Sequence, residues 1–343
     1  MNILITLDYE VFLGKETGTV ENCLIKPIQK LTAVAEKYNI KFILFVDATY
    51  ILRLKQLMNC HARLKDDYAK IRHHLKLLTS KGHDIQLHIH PHWMYSDYNG
   101  KTWIVDKTHY KLSDLPQKEA MQIFVDSKFI LEDIIGYPVT AYRAGGFSAQ
   151  PFSLLKELFT QHHIKIDSSV FAKSRYYSLF QQYDYREIPN KTYYTFEDDL
   201  CIENPKGSFI ELPLTTMKIS PFFYWRLALT RVRKRPIHTR WGDGKTTETS
   251  KESLVKRLTK YTWAYATIDE FKSSYLNMMF QRFLKKFSND DYFVIIGHPK
   301  LVTPYSVQKF GEFCAKYGRN NNFVTTKTIC PHSSKREMYE FSD

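Results

Sequence analysis

The sequence predicts an α/β protein, a distorted (β/α) barrel of seven or eight mostly parallel strands. Short, nearly all-apolar runs such as Lys41–Val46 and Tyr292–Gly297 alternate with stretches of helical spacing. Nearly all-apolar strands alternating with helices point to parallel strands covered by helices. Seven or eight such units in 343 residues favour a closed or nearly closed barrel over a doubly wound sheet. No internal repeat, low-complexity tract or Pro/Gly/Ser linker divides the chain. One catalytic barrel domain over 1–343 is therefore expected, with an irregular basic–aromatic insertion at about 171–290 where the alternation weakens.

Asn2–Leu7 reads as the first strand, and Leu24, Ile28, Leu31, Ala35 and Tyr38 follow at helical spacing. Lys41–Val46 is the second strand. Asp67–Ser80 is a helix that Gly82 terminates, and Asp84–His90 is the third strand. Ser113 or Asp114 caps a helix that carries Pro116 in its first turn and runs to Ile135, where Gly136 stops it. Val139–Arg143 is a strand and Ser148–His163 a helix. Ile164–Val170, Phe209–Leu212 and Tyr292–Gly297 are strands. Pro304 opens a helix over Thr303–Tyr317, and Phe323–Ile329 is a candidate last strand.

Composition excludes a disordered chain, because 43% of residues are hydrophobic and 25% charged. A formal net charge of +13 attracts anions such as nucleic acid, anionic lipid or phosphorylated substrate. Cys23, Cys60, Cys201, Cys314 and Cys330 form no CxxC pair and are odd in number. That argues against a disulfide framework and for a reducing compartment. The N-terminal MNILITLDYE has no basic leader region and so does not read as a signal peptide. No apolar stretch reaches the roughly 18 residues of a membrane span.

Chemistry concentrates at predicted strand ends. In Gly82–His92 (GHDIQLHIHPH), His88, His90 and His92 alternate, so an extended strand puts them on one face. Three imidazoles there make a grip for a divalent metal. If the chain turns at Pro91, His88 and His92 converge and His90 lines the site. Asp8 and Glu10 follow the first strand, two apart. A carboxylate completes a two-histidine metal site and another serves as general base. Arg143 ends one strand before Gly145-Gly146-Phe147, Asp167-Ser168-Ser169 ends another, and His298 ends the last.

These motifs, TLDYE, GHDIQLHIHPH, YRAGGF, DSSVF and IIGHP, resemble in order and spacing those of the polysaccharide deacetylases, the NodB-like carbohydrate esterases. The resemblance runs from residue 3 to about 300. It implies metal-dependent hydrolysis of an N- or O-acyl group, acetyl by expectation, from a sugar. It implies one divalent ion, zinc by expectation, held by His88, His92 and Glu10. Asp8 would be the base, Arg143 would hold it, and His298 would be the general acid. The family's adjacent acids are here separated by Tyr9, which leaves the roles of Asp8 and Glu10 open to exchange. His90, Gly145, Gly146 and Phe147 are candidate substrate-binding residues; the double glycine replaces the commoner arginine–proline–aromatic loop.

Ser220–Trp241 (SPFFYWRLALTRVRKRPIHTRW) sets aromatics beside arginines. It suits a helix packed by its aromatic face or a peripheral membrane contact. No nucleic-acid-binding motif accompanies the charge, so no specific nucleic-acid partner is expected. The expectation is a cytoplasmic deacylase of surface-polysaccharide assembly, membrane-associated at the inner face if 220–241 makes that contact. Its substrate would be an acylated sugar, nucleotide sugar or lipid-linked glycan. The alternatives are hydrolysis of another amide, such as an N-formyl sugar, and an inactive carbohydrate-binding barrel.

Overall fold

The computed structural model describes residues 1–14, 16–178, 181–245 and 251–329. Seven strands run parallel: β1 (Asn2–Tyr9), β2 (Ile43–Asp47), β3 (Asp84–Ile89), β4 (Ala141–Ala144), β5 (Ile166–Asp167), β7 (Phe209–Glu211) and β10 (Tyr292–Gly297). β6 (Tyr194–Phe196) pairs antiparallel with β7 at one edge. The sheet order is β6-β7-β5-β4-β3-β2-β1-β10, and the short β11 (Asn322–Phe323) pairs with the first two residues of β1. The result is a curled, mostly parallel half-barrel.

The period of two along each strand sorts the core into two layers. Leu4, Ile43, Phe45, Ala141, Ile166, Val294 and Ile296 pack together on the concave side. Ile3, Ile5, Leu7, Leu44, Val46, Ile85, Leu87 and Ile295 face the helices. After β7 the chain continues along the seam instead of ending the sheet. Leu212 and Leu214 donate backbone hydrogen bonds to Asp167 and Val170, and Thr215 donates to Val294 of β10. Ala266 then donates to Thr215, and Ile296 to Ala266. The gap between β7 and β10 is thus bridged by two irregular segments rather than a ladder. The antiparallel hairpin of β8 (Thr216–Ile219) and β9 (Thr262–Tyr265) grows out of this seam.

Helices α1 (Lys26–Ala35), α2 (Ala48–Leu57), α3 (Ala62–Ser80), α4 (Gln117–Ile135), α5 (Ser153–Gln161), α6 (Pro221–Arg233), α7 (Lys251–Thr259), α8 (Leu276–Leu284) and α9 (Pro304–Tyr317) complete the fold. Gly136 ends α4 with φ 79°. Thr303 caps α9 reciprocally: its Oγ1 accepts from Ser306 N, and Ser306 Oγ accepts from Thr303 N. Four expectations change. Leu112–Asp114 forms its own 3₁₀ turn, so α4 starts only after Pro116 and neither Ser113 nor Asp114 caps it. α3 begins at Ala62, five residues ahead of the Asp67 expected, and α5 is shorter at both ends because Ser148–Phe152 stay outside it. Past β11 the chain makes a helical turn at Thr326–Ile329, since Thr326 N and Oγ1 both donate to Asp84 Oδ2. α2, α7 and α8 add to the expected helices, and α6 is the helix that the aromatic face of Ser220–Trp241 suited. Cys23, Cys60, Cys201 and Cys314 are free thiols, and Cys330 lies outside the described residues.

Candidate active site

Strand parity builds the site. Leu4 faces the concave core, so Asp8 and Glu10 share its face; Ile43 and Phe45 carry Asp47, Ala141 carries Arg143, and Val294 and Ile296 carry His298. Pairing of β3 with β2 and β4 sets His88 opposite both Asp47 and Arg143. Charge thus appears on the concave face at the carboxyl ends of parallel strands, where such folds place their chemistry. Asp8, Glu10, His88, His90, His92 and Arg143 are all buried.

Glu10 Oε2 lies 2.7 Å from His90 Nε2 and 3.7 Å from His88 Nε2. Its Oε1 lies 3.0 Å from Lys300 Nζ. Burial pushes this carboxyl up, but Lys300 first and the two imidazoles next hold it well below the usual carboxylate range. His88 Nδ1 is 2.7 Å from the Arg143 carbonyl, which can only accept. Nδ1 therefore donates to that carbonyl, and Nε2 is turned toward Glu10, the orientation of a metal-ligating histidine. His88 Nε2 is buried and has no hydrogen-bond partner among the described residues. The donor atoms of Glu10, His88 and His90 lie within 4.8 Å of one another, as do those of Asp8, Glu10 and His298. Two imidazoles and a carboxylate, one of the imidazole nitrogens left without a partner among the described residues, fit a divalent ion such as zinc.

His90, rather than His92, stands beside Glu10. The chain leaves the extended conformation at Pro91 and enters a 3₁₀ turn over Pro91–Tyr95. His92 loses the strand parity there and stacks near-parallel on Tyr110, at 6.1 Å and 14°. It lines the same cavity, and both its ring nitrogens lack a hydrogen-bond partner among the described residues. Burial first, and His90 second, hold its pKa well below the ordinary histidine value, so the ring is neutral.

Arg143 crosses the concave face over Phe45, 4.2 Å from the ring centre, to reach Asp8 on β1. Its Nη1 donates to Asp8 Oδ1 at 2.5 Å, Nε to Ser168 O at 2.8 Å and Nη2 to Ser168 Oγ at 3.0 Å. Ser168 is thus its buttress. Asp167 faces the other way and hydrogen-bonds Ser169 and the buried Glu211, outside the site. On the opposite wall His298 Nδ1 is 2.8 Å from Asp269 Oδ2, and Asp269 Oδ1 accepts from the His298 backbone N–H at 2.7 Å. Burial alone would lower the imidazole pKa. The Asp269 charge and hydrogen bond, then Asp8 and Glu10, raise it instead. His298 Nε2 stays 3.7 Å from Asp8 Oδ2 and 3.9 Å from Glu10 Oε1.

Gly145 has its own reason to be glycine: a Cβ there would sit 2.6 Å from both His90 Nδ1 and the Ile89 carbonyl. Gly146, at φ 57°, would drive a Cβ to 2.6 Å from the Tyr110 ring. Gly146 and Phe147 line a cavity of about 490 Å³ together with Asp8, Glu10, the three histidines and His298. Sequence reasoning missed Lys300, Asp269, Tyr110 and the Asp47 support. Asp47 accepts from Trp93 Nε1 at 2.7 Å and from Thr49, whose Oγ1 in turn accepts from His90 N.

The fold has parallels among solved structures. A Mycobacterium smegmatis protein assigned as a polysaccharide deacetylase superposes with a TM-score of 0.51 at 13% identity, covering 96% of this chain and 88% of that one. The fold is that of the polysaccharide deacetylases. The peptidoglycan deacetylase PdaC of Bacillus subtilis (12% identity, 95% and 88% covered, TM-score 0.36) and the Puue allantoinase (10%, 96% and 88%, 0.48) are more distant. No family model matches the chain. No curated protein is similar to it in sequence.

Proposed function

We propose that this polysaccharide-deacetylase fold is a metal-dependent enzyme removing an N- or O-acyl group, acetyl foremost, from a sugar during surface-polysaccharide assembly. One observation carries the reading. A ligand group (Glu10, His88, His90, with His92 adjoining), an arginine-held carboxylate (Asp8) and an aspartate-backed histidine (His298) converge on one cavity. A divalent ion held there, zinc in this proposal, supplies Lewis acidity and acidifies water. Asp8, kept in place by Arg143, accepts the proton of the attacking water. His298, held as the imidazolium with Nδ1–H on Asp269, presents Nε2–H to the leaving nitrogen or oxygen and gives it that proton, which leaves a neutral imidazole. Lys300 neutralises Glu10 at the cavity wall. Gly146 and Phe147 shape the sugar-facing wall.

The proposed setting is cytoplasmic, with a nucleotide sugar or lipid-linked glycan as substrate and a peripheral membrane contact through 220–241. α6 supports that contact. It buries Phe223, Tyr224 and Leu227 and leaves Phe222, Trp225, Leu229 and Val232 exposed at three- and four-residue spacing. Ser220–Trp241 contains no Asp or Glu beside Arg226, Arg231, Arg233, Lys234, Arg235 and Arg240. No helix among the described residues is long and apolar enough to cross a membrane. Elemental analysis of the purified chain, with acetate release measured on acetylated nucleotide sugars and chitooligosaccharides, tests the enzyme reading. Bound metal without turnover on any acylated sugar refutes it and favours a binding barrel.

A further inference from the structure

A second cavity of about 320 Å³ adjoins the catalytic cavity and shares Phe147, Tyr176, Gln181 and Tyr265 with it as lining. The far walls come from Phe223 and Tyr224 on α6, Trp263 on β9 and Tyr275, and they are aromatic. Two cations, Arg257 of α7 and Lys272, open into this space, and no Asp or Glu among the described residues lines it. Lys272 Nζ stands over the Tyr265 ring, 5.7 Å from its centre. Neither cation forms a salt bridge with another described residue.

The charges are under-compensated. Burial lowers the Lys272 pKa, the nearby Asp269 and Glu270 raise it, and Arg257 and Arg231 lower it again, leaving it below the ordinary lysine value. Asp269 is already engaged twice by His298. Two like charges facing an aromatic-walled space with no carboxylate among its described lining residues are arranged for a ligand that brings negative oxygens. The apolar faces of sugar rings fit the aromatic walls between the two cavities. A neutral glycan would leave both cations unanswered.

We propose that this second cavity is a subsite for an anionic substituent, a diphosphate or a carboxylate, that the substrate carries next to its acylated sugar. The assignment deepens the deacylase reading and rests on it. The same α6 that supplies Phe223 and Tyr224 to the subsite exposes Phe222, Trp225, Leu229 and Val232 on its other side. A diphosphate joining sugar to lipid would place its charge in the subsite beside that face.

Isothermal titration of the zinc-loaded full chain with uridine diphosphate and, separately, glucuronate tests the subsite. At least one probe binds, and Arg257→Gln and Lys272→Gln each weaken it tenfold or more. A Lys309→Gln surface control binds as the wild type does. Preference for the diphosphate assigns a phosphate-linked substrate, and preference for glucuronate an acidic sugar. Failure of both probes to bind the wild type at millimolar concentration overturns the proposal. So does equal binding by wild type and both Gln variants, which would put the anion on the metal ligands. If a Gln variant does not fold, a wild-type crystal soaked in uridine diphosphate decides: phosphate oxygens out of hydrogen-bond reach of both cations overturn the subsite. Acetate release from neutral acetylated sugars reads the deacylase separately, so its failure is distinguishable from loss of probe binding.

Discussion

Arg143→Leu is the most informative single change. The wild-type guanidinium is fully buried, donates three hydrogen bonds and forms the salt bridge to Asp8. Leucine keeps much of the packing on Phe45 and leaves Asp8 buried without its cation. Breaking a buried pair from one side costs about 3–5 kcal/mol. Unfolding entropy of about 2.1 cal/mol/K per residue gives roughly 0.7 kcal/mol/K for 343 residues. The melting temperature should therefore fall by about 4–7 °C. Calorimetry on chelator-treated protein measures this without a contribution from metal binding. Asp8→Asn alone should also destabilise, by stranding the arginine. The double variant should lose less than the sum, with a coupling of about 0.5–3 kcal/mol. A melting temperature within a degree of wild type, or strictly additive losses, would refute the reasoning.

His298→Gln should keep its metal and lose roughly 10²–10⁴-fold in turnover on an amide. The loss should be smaller on an ester with a good leaving group, and equal impairment of both substrates would exclude general acid catalysis. A general acid works while protonated, so activity is present below the His298 pKa and lost as pH rises through it. Asp269 raises that pKa, so Asp269→Asn should move the basic limb of the pH–rate profile to lower pH; an unmoved limb counts against the pair. Elemental analysis separates the ligand sets. The geometry expects His88→Ala and His90→Ala both to lose metal. Loss from His92→Ala but not His90→Ala would return the site to the set implied by the sequence resemblance. Flotation with phosphatidylglycerol vesicles should capture the wild type at low salt and release it at high salt. Val232→Glu should abolish capture, and retained capture would rule out the α6 face.

The strands were legible because their burial is two-sided. Phe293–Ile296 can be nothing but core, and a parallel strand with both faces covered has few ways to end except in a loop that carries chemistry. β5 was harder. Only Ile166 and Asp167 make ladder contacts, because the chain leaves the sheet where Ser168 must hold Arg143. The seam was not legible at all. Residues 212–215 and 266–268 close the gap through irregular backbone hydrogen bonds, and such pairing has no period to detect.

Parity explains why part of the site could be read and part could not. Asp8, Glu10, His88, Arg143 and His298 sit at strand ends, where counting by two from a core residue fixes the direction of the side chain. The count works for His90 and fails for His92, since Pro91 ends the extended conformation between them. Placing His92 with His88 requires a turn whose geometry the spacing does not encode. Asp269 and Lys300 carry no such signal. Lys300 lies two residues past His298, but the 3₁₀ turn at Pro299–Leu301 breaks the alternation before it. Asp269 lies in an irregular segment, and its place is set by the backbone N–H and Nδ1 of His298. The charges that set the electrostatics of the ligands and the acid thus come from residues positioned by turns. The groups proposed to do the chemistry come mainly from strands.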